Sequence, residues 1–190
     1  RINTSGAFRT RGTLSKLVTP NDEFYVVSKN IFDTRVDVTG WQLRVQGLVE
    51  EPMALTYEQL VALPSVEEFI TLECISNEVC GDLISNAKWK GVSLKAILDR
   101  ARLKPGVVDV SFRAEDGYSE SMSLGRALNG EVMVAYQMHG EPLSDSHGFP
   151  ARLIVPGFFG LKSVKWLTEI APVDRDFQGY WQQRGWTDHP

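Results

Sequence analysis

A chain of 190 residues, 43% hydrophobic and 23% charged, has ordinary globular proportions and enough length for one substantial core. A net charge of -4 and a pI near 5.4 argue against a general nucleic-acid binder, so any anion site must be local. Two cysteines, Cys74 and Cys80, are too few for a disulfide framework. No apolar run reaches about 18 residues and no charged-then-apolar leader precedes the first motif, so neither a membrane span nor a signal peptide is expected in the chain as given. It opens on Arg1, as expected of a processed or excised piece.

Residues 1–17 carry Arg9, Arg11 and Lys16 among Thr, Ser and Gly without periodicity and read as a mobile arm or linker; residues 18–190 read as one domain. The turn-forming set Thr19-Pro20-Asn21-Asp22 leads into Phe24-Tyr25-Val26-Val27, a β-prone run. Trp41, Leu43 and Val45 alternate with polar residues up to Gly47, a half-exposed strand. Thr56-Tyr57-Glu58-Gln59 has capping-box spacing and opens a short helix that Pro64 ends.

Ile70, Leu72 and Cys74 then alternate with Phe69, Thr71 and Glu73, which in a strand places the cysteine on the face of two aliphatic side chains. A lone cysteine there is commonly a small buried hydrophobe. The polar run Ile75 to Asp82, however, has the composition of a loop leaving the strand end, where a ligand could reach a thiol. After that loop Ser93 is placed to cap a helix with Leu94, Ile97 and Leu98 on one stripe, and Pro105-Gly106 follows it.

Val108, Val110 and Phe112 form a further alternation running into the turn signal Glu115-Asp116-Gly117-Tyr118. Ser123 is placed to cap a short helix through Leu128, Val132–Met138 reads as a buried strand, and 140–148 as a polar loop. Strands over 153–155 and 164–170 flank a Gly-containing segment. Many strands with few short helices predict an α+β fold with mixed sheets, not a βαβ succession.

His147, Arg152, Lys162 and Lys165, with Gly148, Gly157 and Gly160 between them, combine cationic donors with backbone that permits close approach. They read as a phosphate site or, as is commoner for such residues taken alone, as cations on solvent-facing strand sides. Cys74 and Cys80 with scattered histidines lack any CxxC or HExxH spacing, so zinc is a poor fit.

The run TLECISNEVCGDLISNAKWKGVSLKAIL resembles the cofactor segment of the sulfite oxidase family of molybdenum enzymes. VTPNDEFYVVSKN, WQLRVQGLVEEP, EDGYSESMSL, VAYQMHGEPL, HGFPARLIVPGFFGLKSVKWLTEI and GYWQQRGW follow in that family's order, covering nearly all the chain from Val18 onward. The resemblance implies the sulfite oxidase-type fold and a molybdopterin cofactor whose molybdenum is bound by Cys74. It implies that His147, Arg152, Lys162, Ser163 and Lys165 lie by the pterin and its phosphate, and that Phe24 and Tyr25 cover one side of it. Tyr118 stands at the position of an active-site tyrosine, with a core-packing role equally open. Asn77 is either a cofactor contact or a loop-shaping residue.

The implied activity is two-electron oxygen-atom transfer by a molybdenum-dependent oxidoreductase; a binding or structural module that keeps the fold without the metal, or a sulfite oxidase, are the alternatives. Sulfite oxidases carry arginines shortly after the metal cysteine and after the entry Phe-Tyr. Here those segments read Ile75-Ser76-Asn77-Glu78 and Ser28-Lys29-Asn30. Glu78 is expected to oppose a dianion, which shifts the expected small-molecule substrate from sulfite towards a sulfoxide or N-oxide unless Arg113 or Arg184 refills the pocket. Cys80, six residues from Cys74, raises a disulfide that would block the metal. The family's C-terminal β-sandwich is not in the chain, so a monomer is expected. Related bacterial proteins imply an extracytoplasmic location, by tethering at the outer face of the cytoplasmic membrane or in the periplasm, and a haem-bearing membrane partner.

Overall fold

Two apolar alternations on either side of the cysteine loop pair with each other and set the frame of the site. In the computed structural model, which describes residues 16–187, they form strands β3 (Val66–Glu73) and β4 (Ile84–Ser93), antiparallel with Ile70 opposite Ala87 and Leu72 opposite Ser85. β4 occupies a stretch between the expected loop and Ser93 to which the sequence assigns no element. Its inward residues Ser85, Ala87 and Trp89 are buried while Asn86, Lys88 and Lys90 stand outward, so its polar face masked a period-2 pattern. A Cβ on its Gly91 would lie 2.2 Å from the Val134 carbonyl oxygen, so glycine there allows close approach to the next strand.

That next strand is β7 (Met133–Met138), which also pairs with β8 (Glu141–Pro142) and β9 (Arg152–Ile154), completing one sheet of five strands. The other five-stranded sheet has the order β2-β1-β10-β5-β6, with β1 (Leu43–Val45), β2 (Met53–Leu55), β5 (Asp109–Ala114), β6 (Ser119–Ser123) and β10 (Leu167–Val173). β1 runs parallel to β10 and the remaining neighbours are antiparallel, which makes the sheet mixed. The expected α+β class is therefore observed.

The helices are short. α1 (Tyr57–Val61) begins with the expected Thr56–Gln59 capping box, and α2 (Leu94–Ala101) buries Leu94, Ile97, Leu98 and Ala101. Ser93 makes no side-chain cap hydrogen bond, contrary to expectation, whereas Ser123 accepts from the Arg126 amide at the start of α3 (Leu124–Ala127). No helix among the described residues is long and apolar enough to cross a membrane.

Three strand expectations need correction. Phe24–Val27 forms no strand: the Phe24 amide closes a turn on the Pro20 carbonyl, and its ring is buried with Ile70, Leu72 and Trp89 in the smaller of two apolar clusters. The strand expected over 164–170 lies at Leu167–Val173. β6, with the sequence Ser-Glu-Ser-Met-Ser, lies between the expected turn at 115–118 and the Ser123 cap, where no strand is expected; it is buried because the C-terminal segment covers it, the Tyr180 amide donating to Ser119 O at 2.8 Å and Ser121 Oγ donating to Phe177 O at 2.8 Å. The expected arm lies outside the described residues apart from Lys16 and Leu17. Lys16 pairs with Glu23, and the Leu17 carbonyl accepts from Asn86 on β4.

Candidate functional site

Cys74 is the first residue past the end of β3, not a member of the strand. Its amide donates to Leu83 O and its carbonyl accepts from the Asn77 amide, both within 2.9 Å, so the loop leaves the strand through a tight turn and returns to β4. Asn77 straps this loop: its Nδ2 donates to Glu73 Oε1 at 3.0 Å and its Oδ1 accepts from the Leu83 amide at 2.9 Å. Of its two expected roles the structure places it in the loop-shaping one, outside the cavity wall. Cys74 is half-buried and lines a cavity of about 460 Å³. Cys80 is exposed with φ 62°, and both thiols are free, so the disulfide raised from the sequence does not form. Glu78 is exposed and does not line the cavity, which removes it as a force against an anionic substrate.

One wall of the cavity is cationic. Arg152, on β9, is buried; it donates from Nη1 to His147 O at 3.0 Å and from Nη2 to Ser163 O at 3.2 Å, while its buried Nε has no hydrogen-bond partner. Lys165 donates to Ser146 O at 2.9 Å. Among the described residues neither cation has a carboxylate within salt-bridge distance. Burial pushes Arg152 down to about 10, and burial with the nearby Arg152 charge pushes Lys165 down to about 8. His147 Nε2 lies 3.0 Å from Asn21 O, which assigns its proton to Nε2; burial, reinforced by Arg152 and Lys165, pushes the ring down to about 4. At neutral pH the ring is thus an uncharged wall residue.

The other expected residues divide. Ser163 lines the cavity and its Oγ accepts from the Val155 amide. Phe24 and Tyr25 line it too, with Phe24 edge-on to both Trp89 and His147. Gly160 is needed beneath Tyr25, because a Cβ there would stand 2.6 Å from Tyr25 Oη. Burial raises the Tyr25 phenol, which keeps its proton. Lys162 does not line the cavity: it is buried against Glu120, with Nζ 2.9 Å from Oε1 and 3.1 Å from Ser121 O.

The opposite wall is aromatic. Tyr118 donates to Leu161 O at 2.9 Å, with Glu120 Oε2 at 3.4 Å as a second acceptor. Burial first, and the Glu120 charge second, raise its pKa and keep it a phenol. Trp181 and Trp186, which the residue-by-residue reading missed, complete this wall and continue through Tyr180 to Tyr118. The signal was the aromatic density of GYWQQRGW. Lys29 and Asp116 were also missed as site residues, since they lie far apart in the chain. They form a cavity-wall ion pair of 3.3 Å. Arg113 pairs with Glu169 and Arg184 lies 3.6 Å over the Tyr180 ring; neither lines the cavity.

The cavity falls within the roughly 300–1,000 Å³ of small-molecule sites. Two cavity-lining cations without a carboxylate in salt-bridge distance fit an anionic group such as a phosphate. A thiol in the same wall fits a soft metal.

Residues 30–181 match the family described as oxidoreductase molybdopterin binding domain. The chain is 33% identical over 150 residues to the uncharacterized oxidoreductase YuiH of Bacillus subtilis, covering 79% of this chain and 74% of that protein. It is 34% identical over 188 residues to the mitochondrial sulfite oxidase of Drosophila melanogaster, covering 87% of this chain and 32% of that one. With the NADH nitrate reductase of Solanum lycopersicum the figures are 33% over 174 residues, 77% and 19%. The chain thus spans a third or less of the length of these two enzymes. The crystal structure of the sulfane dehydrogenase SoxCD from Paracoccus pantotrophus superposes with a TM-score of 0.79 at 27% identity, over 85% of this chain and 45% of that one.

Proposed function

From the premise that this chain belongs to the oxidoreductase molybdopterin binding domain family, we propose that Cys74 holds the molybdenum and that the substrate is a small molecule without two negative charges. The chain is a molybdenum-dependent oxidoreductase and its cofactor is a molybdopterin. The observation that carries the ligand assignment is that Cys74 shares one cavity with the uncompensated cations Arg152 and Lys165.

When bound, the molybdenum centre supplies two-electron redox chemistry and oxygen-atom exchange. Cys74 ligates as thiolate, because metal binding displaces its proton. Arg152 and Lys165, both lining the cavity, neutralise the phosphate, and Ser163 lies between them in sequence as a further polar contact. Neutral His147 offers Nδ1 as an acceptor without adding charge. Phe24 and Tyr25 cover an apolar side. Tyr118, kept as a phenol, is placed to turn its hydroxyl from Leu161 O to a hydrogen bond with a substrate oxygen, and Trp181 and Trp186 give that end of the cavity an aromatic lining. Reduction of a sulfoxide or N-oxide consumes two electrons and two protons and releases water. Our reading of place and company follows the resemblance to exported bacterial members: an extracytoplasmic enzyme supplied by a haem-bearing membrane partner. The full reading frame tests it, since an initiator Met immediately before Arg1 with no leader or anchor overturns export.

Against sulfite stands the charge of the wall. Arg152 and Lys165 belong to the phosphate cluster, Lys29 is tied to Asp116, and Arg113 and Arg184 are outside. The sulfite oxidase relative supports the competing reading. Protein made in a host competent for molybdopterin synthesis decides both points. We expect stoichiometric molybdenum that is lost in Cys74→Ser, and turnover of sulfoxides or N-oxides that exceeds sulfite oxidation. Retained cofactor-supported turnover in Cys74→Ser overturns the ligand assignment, and sulfite oxidation with a micromolar KM overturns the substrate class.

A further inference from the structure

Lys29 and Asp116 form the one ion pair within salt-bridge distance in the cavity wall among the described residues. Their side chains are only 14% and 3% exposed, and Lys29 Nζ lies 2.9 Å from Asp116 O, 2.9 Å from Asn30 Oδ1 and 3.3 Å from Asp116 Oδ2. Asp116 Oδ2 also accepts from Asn30 Nδ2 at 3.0 Å, and Oδ1 from the Tyr118 amide at 2.9 Å. The ammonium is 5.4 Å from the centre of the Tyr180 ring, which packs on Tyr118. The pair therefore sits beside the phenol that the reaction uses, on the aromatic wall.

We propose that Asp116 determines the charge class of the substrate, cancelling Lys29 so that the reaction end of the cavity presents no free cation to an oxyanion. The inference rests on the reading that a small substrate approaches Tyr118. A lysine in this position would otherwise act as a point charge for a sulfite- or sulfate-like group. Here its donors are spent on a carbonyl, an amide oxygen and a carboxylate, all from its own protein. Asp116 is the sole acidic residue among the described residues of the cavity wall; Lys165 also feels its charge, but only Lys29 lies within salt-bridge distance of it. What remains for a substrate is an uncharged, aromatic surface with a phenol donor, suited to a neutral polar S–O or N–O bond.

The experiment titrates the molybdopterin-loaded protein with sulfate by calorimetry, in the parent, Asp116→Asn, Lys29→Gln and the double variant. Asp116→Asn keeps the oxygen that accepts from the Tyr118 amide and frees the lysine, and should tighten sulfate binding about tenfold or more. The double variant should return to within about twofold of the parent. Asp116→Asn binding within twofold of the parent, or tightening that persists in the double variant, overturns the proposal. Should Asp116→Asn fail to fold, Lys29→Gln carries the test: the bared carboxylate should bind tetramethylammonium about tenfold more tightly, and an unchanged affinity overturns it. Sulfoxide turnover by the parent is read in parallel. Its failure with the sulfate switch present overturns the substrate reading alone, and its presence without the switch overturns this inference alone.

Discussion

Lys162 and Lys165 stand three residues apart in one segment, yet the fold uses them in opposite ways. Lys162 is buried with Glu120 in a matched pair, to which Gln182 and Tyr118 add contacts at 3.4 Å. Lys165, with Arg152, is held by carbonyl oxygens and has no carboxylate within salt-bridge distance. The contrast separates scaffold from site. A buried charge that the protein neutralises itself joins elements together, here β6, the 160–162 turn and the C-terminal segment. A buried charge left without its opposite is stable only in prospect of a ligand that supplies it.

The sharpest way to break this comparison is at the matched pair. Glu120→Ala leaves Lys162 buried without its carboxylate and should cost about 3–5 kcal/mol, read as a shift of the urea midpoint. A cost below about 1 kcal/mol would show that Glu120 is no structural partner. At the unmatched cluster the balance reverses. Arg152→Met should lower cofactor affinity by one to two orders of magnitude, corresponding to about 1.5–3 kcal/mol, while the stability of cofactor-free protein changes by no more than about 1 kcal/mol. Loss of two hydrogen bonds to His147 O and Ser163 O is there offset by removal of an uncompensated charge.

Acidity sharpens the same point. Lys165 has its folded value pushed down to about 8 from 10.5, so between those values the unfolded chain binds more protons. The penalty is complete below about pH 8 and is relieved as pH rises towards 10.5, and cofactor-free protein should gain on the order of 1–3 kcal/mol across that window. Lys165→Met, or a bound anionic group, should flatten the rise. His147, pushed down to about 4 from 6.5, adds a loss of stability as pH falls from 6.5 towards 4, because the unfolded chain takes up the proton first. Urea midpoints across pH 4 to 10 check both limbs. The smallest effect is expected at Cys80: Cys80→Ser, at an exposed position outside the cavity, should change stability by less than about 0.5 kcal/mol and leave molybdenum content unaltered, in contrast to Cys74→Ser.

Much of the frame was legible because it is written in short periods. The capping box before α1, the apolar stripe of α2, and the alternations of β1, β3 and β5 all depend on neighbours within a few residues. β4 shows where this fails, since Lys88 and Lys90 break up its apolar alternation and gain a strand context only when β3 supplies Glu67 as their partner. β6 fails for a deeper reason. Three consecutive buried polar residues have no local explanation, and Ser119, Glu120 and Ser121 are satisfied only by the C-terminal segment and Lys162.

By itself the sequence determined the fold class, the position of the thiol at a strand end, and which stretch holds the cations, because residue type and spacing settle those. Tertiary structure alone decided that Lys165 faces the cavity while Lys162 faces Glu120, that Asn77 straps a loop, and that Glu78 stands outside. It also brought Lys29 to Asp116, 87 residues away, and Trp181 and Trp186 to the wall shared with Cys74. The physical reason is that charge becomes functional through burial and the presence or absence of a partner, and both are properties of where distant segments meet.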